Sequence, residues 1–279
     1  MTVLEVLQAA TDYLAKHGVE SPRLNAEYLL AHVLGKPKRI DLYLDFDRPL
    51  GESERAPLRE LVRKRGEGVP LQHILGTVEF LGHTFKCDAR ALIPRPETEQ
   101  LVELILNLLP HPSPRLLDVG TGSGVIILSI GLARPGALLS AGDLSQEALA
   151  LARENAASLG LEARVDFQLG DLCSPFSGPF DVLAANLPYI PTAEIPTLSR
   201  EVGHDPVPAL DGGSDGLDLF RRLASTCPAL LAPGALLALE IGHDQAARVA
   251  GMLAAHNFRD ISPRGDYQNI ERFIIARHG

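Results

Sequence analysis

The spacing of apolar side chains changes period near residue 70. Before it they recur at helical intervals, first at Val3, Leu4, Leu7, Ala10 and Leu14 up to Gly18, then at Leu24, Tyr28, Leu29, Val33 and Leu34 up to Gly35. Thr2 and Glu5 stand at capping-box spacing, and Ser21-Pro22 offers an N-cap followed by proline at the first helical position. A third, shorter helix is expected within residues 36–47 and a fourth, charged one over 52–65, ended by Gly66. No stretch before Pro70 reads as a strand. Residues 1–72 are therefore predicted as an all-helical domain without a catalytic group, suited to binding a partner, covering a cleft or serving as scaffold. Short β-like runs at 73–75, 77–81 and 83–87, punctuated by Gly76 and Gly82, predict a β-hairpin linker over 73–92.

From residue 93 the pattern alternates. The stiff entry 93–99 (IPRPETE) places Pro96 at the start of a helix through Leu101, Val102, Ile105 and Leu108. Stretches of strand length follow at 116–119, 138–142, 165–169, 182–185 and 235–241, with helical segments between, such as 125–132, 217–231 and 245–256. The run 182–185, four apolar residues without alternation, fits a strand covered on both faces, as in a parallel sheet. Two strands come last, near 258–262 and 272–276. The fold class predicted for 93–279 is α/β, a doubly wound Rossmann-like sheet with an antiparallel end.

In open parallel sheets ligands sit beyond the carboxyl ends of the strands, and chemistry-bearing residues gather there. The first strand runs into Gly120, Gly122 and Gly124, which let the backbone turn tightly and approach a ligand at a helix N-terminus. The spacing is GxGxG, and Val125 stands where a dinucleotide site would need its third glycine. Asp143 ends the next strand and is placed to accept both hydroxyls of a ribose. Asp171 and the Leu172 N–H, after the third strand, suit the edge of an adenine. One acid at a strand end is commonly a helix cap, but acids at successive strand ends on one edge of a sheet are not easily explained so. The fourth strand ends in residues 181–190, DVLAANLPYI. Asn186 offers one side-chain carbonyl acceptor, Pro188 biases Leu187 toward an extended conformation so that its backbone carbonyl stands beside it, and Tyr189 adds a flat face. Two acceptors and a ring suit a planar –NH2 group.

Composition narrows the classes. With 279 residues and 46% hydrophobic content the chain is long enough for one large and one smaller domain. Its apolar runs are too short or too interrupted to span a bilayer, and no basic-then-apolar signal pattern opens it, so a cytoplasmic location without membrane contact is expected. Cys87, Cys173 and Cys227 form no CxxC pair and the nine histidines are scattered, which predicts reduced thiols and no metal site. The net charge of −9 is uneven: residues 1–70 hold 11 basic and 11 acidic side chains, and the remainder 15 and 24. That balance counts against a nucleic-acid substrate.

The glycine-rich stretch 116–124 with Asp143 and Asp171 resembles the S-adenosylmethionine-dependent methyltransferases, whose sheet is seven-stranded. Residues 70–76 (PLQHILG), 79–82 (EFLG), 93–99, 205–217, 239–242 (LEIG) with Gln245, and Asp266 with Arg272 are more specific. They resemble the HemK/PrmC glutamine methyltransferases of peptide chain release factors, and the likeness covers nearly the whole chain. It implies S-adenosylmethionine as cofactor, with S-adenosylhomocysteine as product, bound by Asp118, Gly120, Thr121, Gly122, Ser123, Gly124, Asp143, Asp171, Leu172 and Asn186. It also implies Asn186, Leu187, Pro188 and Tyr189 as the catalytic corner, methylating N5 of the glutamine in the Gly-Gly-Gln motif of class 1 release factors. The helical domain would bind the release factor, and the enzyme would be a monomer. Two positions depart from the family: Leu187 replaces the first proline of Asn-Pro-Pro-Tyr, and Asp205 stands where Glu is more frequent. Asn-Leu-Pro-Tyr is also similar to the motif of ribosomal-RNA adenine dimethyltransferases, so an adenine-N6 methyltransferase is the alternative. A non-catalytic nucleotide-binding protein comes third.

Overall fold

The computed structural model describes residues 1–279, which divide into two compact units: 1–77 with 199–204, and 78–198 with 205–279. In the smaller unit, α1 (Val3–Lys16) begins with the reciprocal cap its sequence predicts, Glu5 N–H donating to Thr2 Oγ1 (3.2 Å) and Thr2 N–H to Glu5 Oε2 (2.9 Å). Its face of Val3, Val6, Leu7, Ala10 and Leu14 is buried against Leu29 and Leu30 of α2 (Pro22–Val33) and Leu58 of α3 (Glu52–Gly66). At Gly66 a Cβ would lie 2.7 Å from Tyr13 Cε1, so any side chain there would have to displace the Tyr13 ring of α1.

Three expectations are corrected here. Ser21 does not cap α2; it sits at φ +48°, and Asn25 Nδ2 donates to the Glu20 and Ser21 carbonyls. Asn25 Oδ1 in turn accepts from buried Arg65 Nε at 2.7 Å, a tertiary contact that outranks the local cap. The third helix is a 3-10 helix, Arg39–Asp45, with only Leu42 buried. Residues 73–75 form no strand but lie in α4 (Leu71–Leu75), where Leu71, Ile74 and Leu75 share one face and pack on the helical core. A three-residue run is too short for β-propensity to prevail over that spacing.

In the larger unit β1 (Thr77–Phe80) and β2 (His83–Lys86) form a hairpin whose Phe80 and Phe85 are buried in the sheet's core. After α5 (Pro96–Leu108) come β3 (Arg115–Val119), α6 (Val125–Ala133), β4 (Leu138–Asp143), α7 (Gln146–Ser158), β5 (Val165–Leu169) and β6 (Phe180–Asn186). Then α8 (Asp218–Thr226), β7 (Leu231–Glu240), α9 (Ala246–Ala254), β8 (Phe258–Gly265) and β9 (Glu271–His278) complete the chain. The seven-stranded sheet has the order β5-β4-β3-β6-β7-β9-β8. It is the expected doubly wound α/β sheet, refined in one respect: the antiparallel strand, β9, is inserted between β7 and β8. Central β3 and β6 are buried on both faces, which explains their unalternating sequences. No helix is long and apolar enough to cross a membrane, and all three cysteines are free and buried.

Candidate active site

The parallel strands β4, β3 and β6 deliver their carboxyl ends to one cavity of about 500 Å³. Gly120 and Gly122 stand at φ +72° and +56°, a region that side chains rarely adopt, and the turn they make is held by Gly120 and Thr121 N–H groups donating to the Gly142 carbonyl. Asp143 is built into the same edge: Oδ2 accepts from Gly122 N–H (2.9 Å) and Oδ1 from Ser145 N–H (2.8 Å). Burial pushes its carboxyl above the ordinary range, and these backbone donors oppose that shift. Two oxygens with lone pairs remaining, on the cavity wall, fit a diol donor. A ribose-bearing cofactor is thus compatible with the residues present.

Asn155 of α7 steadies this loop from behind. Its Nδ2 donates to the Ser123 carbonyl (2.9 Å) and its Oδ1 accepts from Lys86 N–H (2.7 Å), tying the glycine turn to β2.

Most of the predicted cofactor residues meet there. Gly120, Thr121, Gly122, Ser123, Asp143, Asp171 and Leu172 all line the cavity, with Asn186, Leu187 and Pro188 on the same wall. Three do not. Asp118 is fully buried beneath the loop, where its Oδ2 accepts from Thr121 Oγ1 (2.6 Å), its Oδ1 has no partner, and burial pushes its pKa up to about 7. Gly124 begins α6 at φ +84° away from the wall. Tyr189 packs against the core beside α8 and α9, and burial raises its phenol to about 12. The Asp171 carboxylate is itself paired with Arg222, so the cavity receives it as one half of an ion pair.

The corner after β6 is fixed from three sides. Leu187 is 3% exposed, and its Cδ2 lies 3.0 Å from where a Cβ on Gly120 would stand, so the leucine packs directly on the glycine turn. Gln245 Nε2 donates to the Tyr189 (2.9 Å) and Gly216 (3.2 Å) carbonyls while its Oε1 accepts from Gly242 N–H. Asp205, 4% exposed, accepts from Ile93 N–H (3.2 Å) and Arg95 (2.7 Å), which joins the proline-stiffened entry to the segment carrying Pro206 and Pro208 on the cavity wall.

Sequence reasoning missed the partners of Asn186. Its Nδ2 donates to Thr98 Oγ1 (3.2 Å), and Thr98 Oγ1 donates to Glu240 Oε2 (2.7 Å). Asn186 and Glu240 are register partners at the ends of β6 and β7, and Thr98 comes from the first turn of α5. Thr98 and Glu240 are each 2% exposed. Burial raises Glu240 to about 7; nearby Glu97 adds to this, while Thr98, Arg272 and the Asn186 amide restrain it. A lone glutamate ending the apolar run 235–241 was the available signal.

Known proteins share both parts of the chain. Residues 5–76 match the PrmC N-terminal domain and residues 97–200 the methyltransferase small domain. The release factor glutamine methyltransferase of Deinococcus radiodurans is 43% identical over 278 residues, covering 99% of each chain. The chain belongs to the release factor glutamine methyltransferase family. The Geobacter sulfurreducens member of that family is 42% identical over 280 residues, covering 100% of this chain and 97% of its own. A crystal structure of a methyltransferase from Pyrococcus furiosus, 15% identical, superposes with a TM-score of 0.54 over 71% of this chain and 89% of its own, a likeness of fold alone. In this release factor glutamine methyltransferase one cavity is thus lined by the glycine turn, the Asp143 carboxylate and the Asn186 corner.

Proposed function

We propose that this enzyme transfers a methyl group from S-adenosylmethionine to the side-chain amide nitrogen of the Gly-Gly-Gln glutamine in class 1 release factors. The observation that carries the reading is the corner itself: Asn186, Leu187 and Pro188 share one cavity with Asp143 and the glycine turn. When bound there, with Asp143 on its ribose and Gly120 to Ser123 against it, S-adenosylmethionine supplies a methyl carried on positively charged sulfur.

An amide nitrogen is a weak nucleophile because its lone pair is delocalised into the carbonyl. With Nδ2 committed to Thr98, the Asn186 atom left for a ligand is Oδ1. That oxygen and the Leu187 carbonyl accept the two N–H bonds of the substrate amide. Both acceptors favour the positive charge that the nitrogen gains, and together they hold it in a near-attack position of about 3–3.5 Å. The departing proton rests in the Asn186 hydrogen bond until solvent takes it. Leu187 does by side-chain packing on Gly120 what the family's proline does by ring stiffness.

The helical unit is the release-factor docking module in this reading. Support comes from the match of residues 5–76 to the PrmC N-terminal domain and from the exposed Tyr28, Ile40, Tyr43 and Leu44 on that unit. The docking role requires Leu44→Glu to raise KM for an intact release factor and to leave a short Gly-Gly-Gln peptide unaffected. The whole reading is tested by mass spectrometry of a release factor incubated with the enzyme and isotope-labelled S-adenosylmethionine. One labelled methyl on the Gly-Gly-Gln glutamine is expected. An unlabelled release factor, or label in nucleic acid instead, overturns it.

A further inference from the structure

The corner contains one more device, built from residues that do not line up in sequence. Thr98 Oγ1 carries a single proton and lies between two polar groups, Asn186 Nδ2 at 3.2 Å and Glu240 Oε2 at 2.7 Å. An ionised carboxylate is acceptor-only, so it claims that proton, and the threonine oxygen can then only accept from its other neighbour. Only the nitrogen end of the Asn186 amide satisfies it. The oxygen end is then the one left for a ligand at the cavity wall, and the carboxylate's charge polarises the chain in the direction that makes Oδ1 a better acceptor. If Glu240 carries a proton, it can donate to Thr98, which then donates to Asn186, and the reversed amide presents two N–H groups to a substrate that also offers only N–H groups.

We propose that Glu240 and Thr98 are the positioning residues of methyl transfer: the ionised carboxylate, acting through the threonine hydroxyl, holds the Asn186 amide with its oxygen toward the substrate. This deepens the function proposed above and rests on it. The geometry supports it independently, since strand register sets Asn186 beside Glu240 and the first turn of α5 places Thr98 against both. The charged and titratable groups facing the carboxylate are Glu97 on α5, Arg272 on β9 and the Tyr189 phenol on the corner. Burial, aided by Glu97 and opposed by Arg272, raises the Glu240 carboxyl to about 7, so the device switches within the neutral range. A carboxylate so buried, with only the Thr98 hydroxyl and the Asn186 amide as hydrogen-bonding neighbours, is costly to keep ionised.

The test compares Thr98→Val, Thr98→Ser and Glu240→Gln with wild type in single-turnover methylation of a release factor across pH 5.5–9. Wild type is expected to gain rate as Glu240 ionises. Thr98→Val should lower kcat about 10-fold or more, short of the 10²–10³-fold of losing a contact group outright, with cofactor Kd and release-factor KM unchanged. Thr98→Ser should return most of the loss, because it keeps the hydroxyl. Glu240→Gln should lose both rate and the acidic limb of the profile. The Asn186 side-chain amide is followed in parallel by ¹⁵N NMR of the full-length protein: its Nδ2 resonance should titrate with the Glu240 midpoint in wild type and be flat in Glu240→Gln. That readout needs no methyl transfer, so an enzyme inactive on release factors would sink the proposed function while the titration still judges the device. A Thr98→Val rate equal to wild type, a Thr98→Ser variant as slow as Thr98→Val, or an Asn186 resonance indifferent to pH would each overturn the inference.

Discussion

Two buried glutamates divide the molecule's work. Glu27, on α2 of the helical unit, and Glu240, at the end of β7, are both 2% exposed. Glu27 is met by Arg23 Nε (2.7 Å), by Arg39 and by the Tyr43 hydroxyl (3.0 Å). Burial raises its pKa, but these three donors outweigh the burial and leave it below the ordinary value. Glu240 has only neutral hydrogen-bonding partners, the Thr98 hydroxyl at 2.7 Å and the Asn186 amide, and burial leaves it near 7. Neither side chain meets solvent, but Glu240 lies far deeper in the protein and has no guanidinium bonded to it, so burial wins there, whereas at the shallower Glu27 the arginines win. Under-served burial is costly to stability, and sites of chemistry are where such cost is tolerated.

The sharpest way to break the comparison is at the far end of the Glu240 chain. Asn186→Ala removes the acceptor on which the carboxylate acts, and kcat for release-factor methylation should fall about 10²–10³-fold with little change in KM, as for one preorganised oxyanion-hole group. Glu27→Gln should leave that kcat at the wild-type value. A loss of kcat in Glu27→Gln equal to that in Asn186→Ala would remove the contrast between the structural glutamate and the corner.

Stability against pH should separate the two glutamates next. The folded Glu240 value lies above the ordinary 4.5, so between 4.5 and about 7 the folded protein keeps a proton that the unfolded chain releases. Its contribution is complete below that window and declines as pH rises through it. Asp118, also raised to about 7 by burial, acts in the same direction. Glu27 lies below 4.5 when folded, so its contribution is present above 4.5 and disappears as pH falls through the folded value. Thermal unfolding should therefore find Glu240→Gln more stable relative to wild type at pH 8 than at pH 5, by at most about 3 kcal/mol. Glu27→Gln should show its deficit at pH 7 and approach wild type in acid. Parallel pH curves for the two variants would end the distinction.

Asp143 is a half-buried carboxylate, intermediate between them, since it has backbone donors but still faces the cavity. Asp143→Ala should weaken S-adenosylmethionine binding by about 1.5–3 kcal/mol, roughly 10- to 150-fold in Kd by calorimetry. An unchanged Kd in a folded variant would assign Asp143 to loop structure alone.

What could be read from the sequence follows the range of the forces involved. The glycine turn, Asp143 and the Asn186 corner were legible because each is local chemistry at the end of an apolar strand, and the order of strands put them on one edge. The helical caps were legible only where nothing distant competed: Thr2 caps α1, whereas Ser21 yields to an Asn25–Arg65 contact spanning 40 residues. Thr98 and Glu240 are 142 residues apart and meet only because the first turn of α5 reaches the end of β7. Both lie in stretches the family shares, 93–99 and 239–242, but nothing local in either stretch states what the side chain does. The same holds for Asp205, whose partners Ile93 and Arg95 lie more than 100 residues upstream.

The smallest effect is expected at Leu187, where the corner departs from its family. A fully buried leucine contributes about 1.5–3 kcal/mol by removal from water, and this one is 3% exposed against Gly120 and the core beneath β6. Proline keeps part of that apolar surface and restricts the unfolded chain, which offsets some of the loss. The residue before a proline must be extended, and Asn186 already ends a strand, so the backbone accepts the change. Leu187→Pro should therefore cost about 1 kcal/mol in thermal unfolding while kcat stays within about threefold of wild type, because the carbonyl that contacts the substrate amide is retained. A large drop in kcat without loss of stability would show that the leucine side chain, packed on the glycine turn, sets the reacting geometry in a way that ring stiffness does not reproduce.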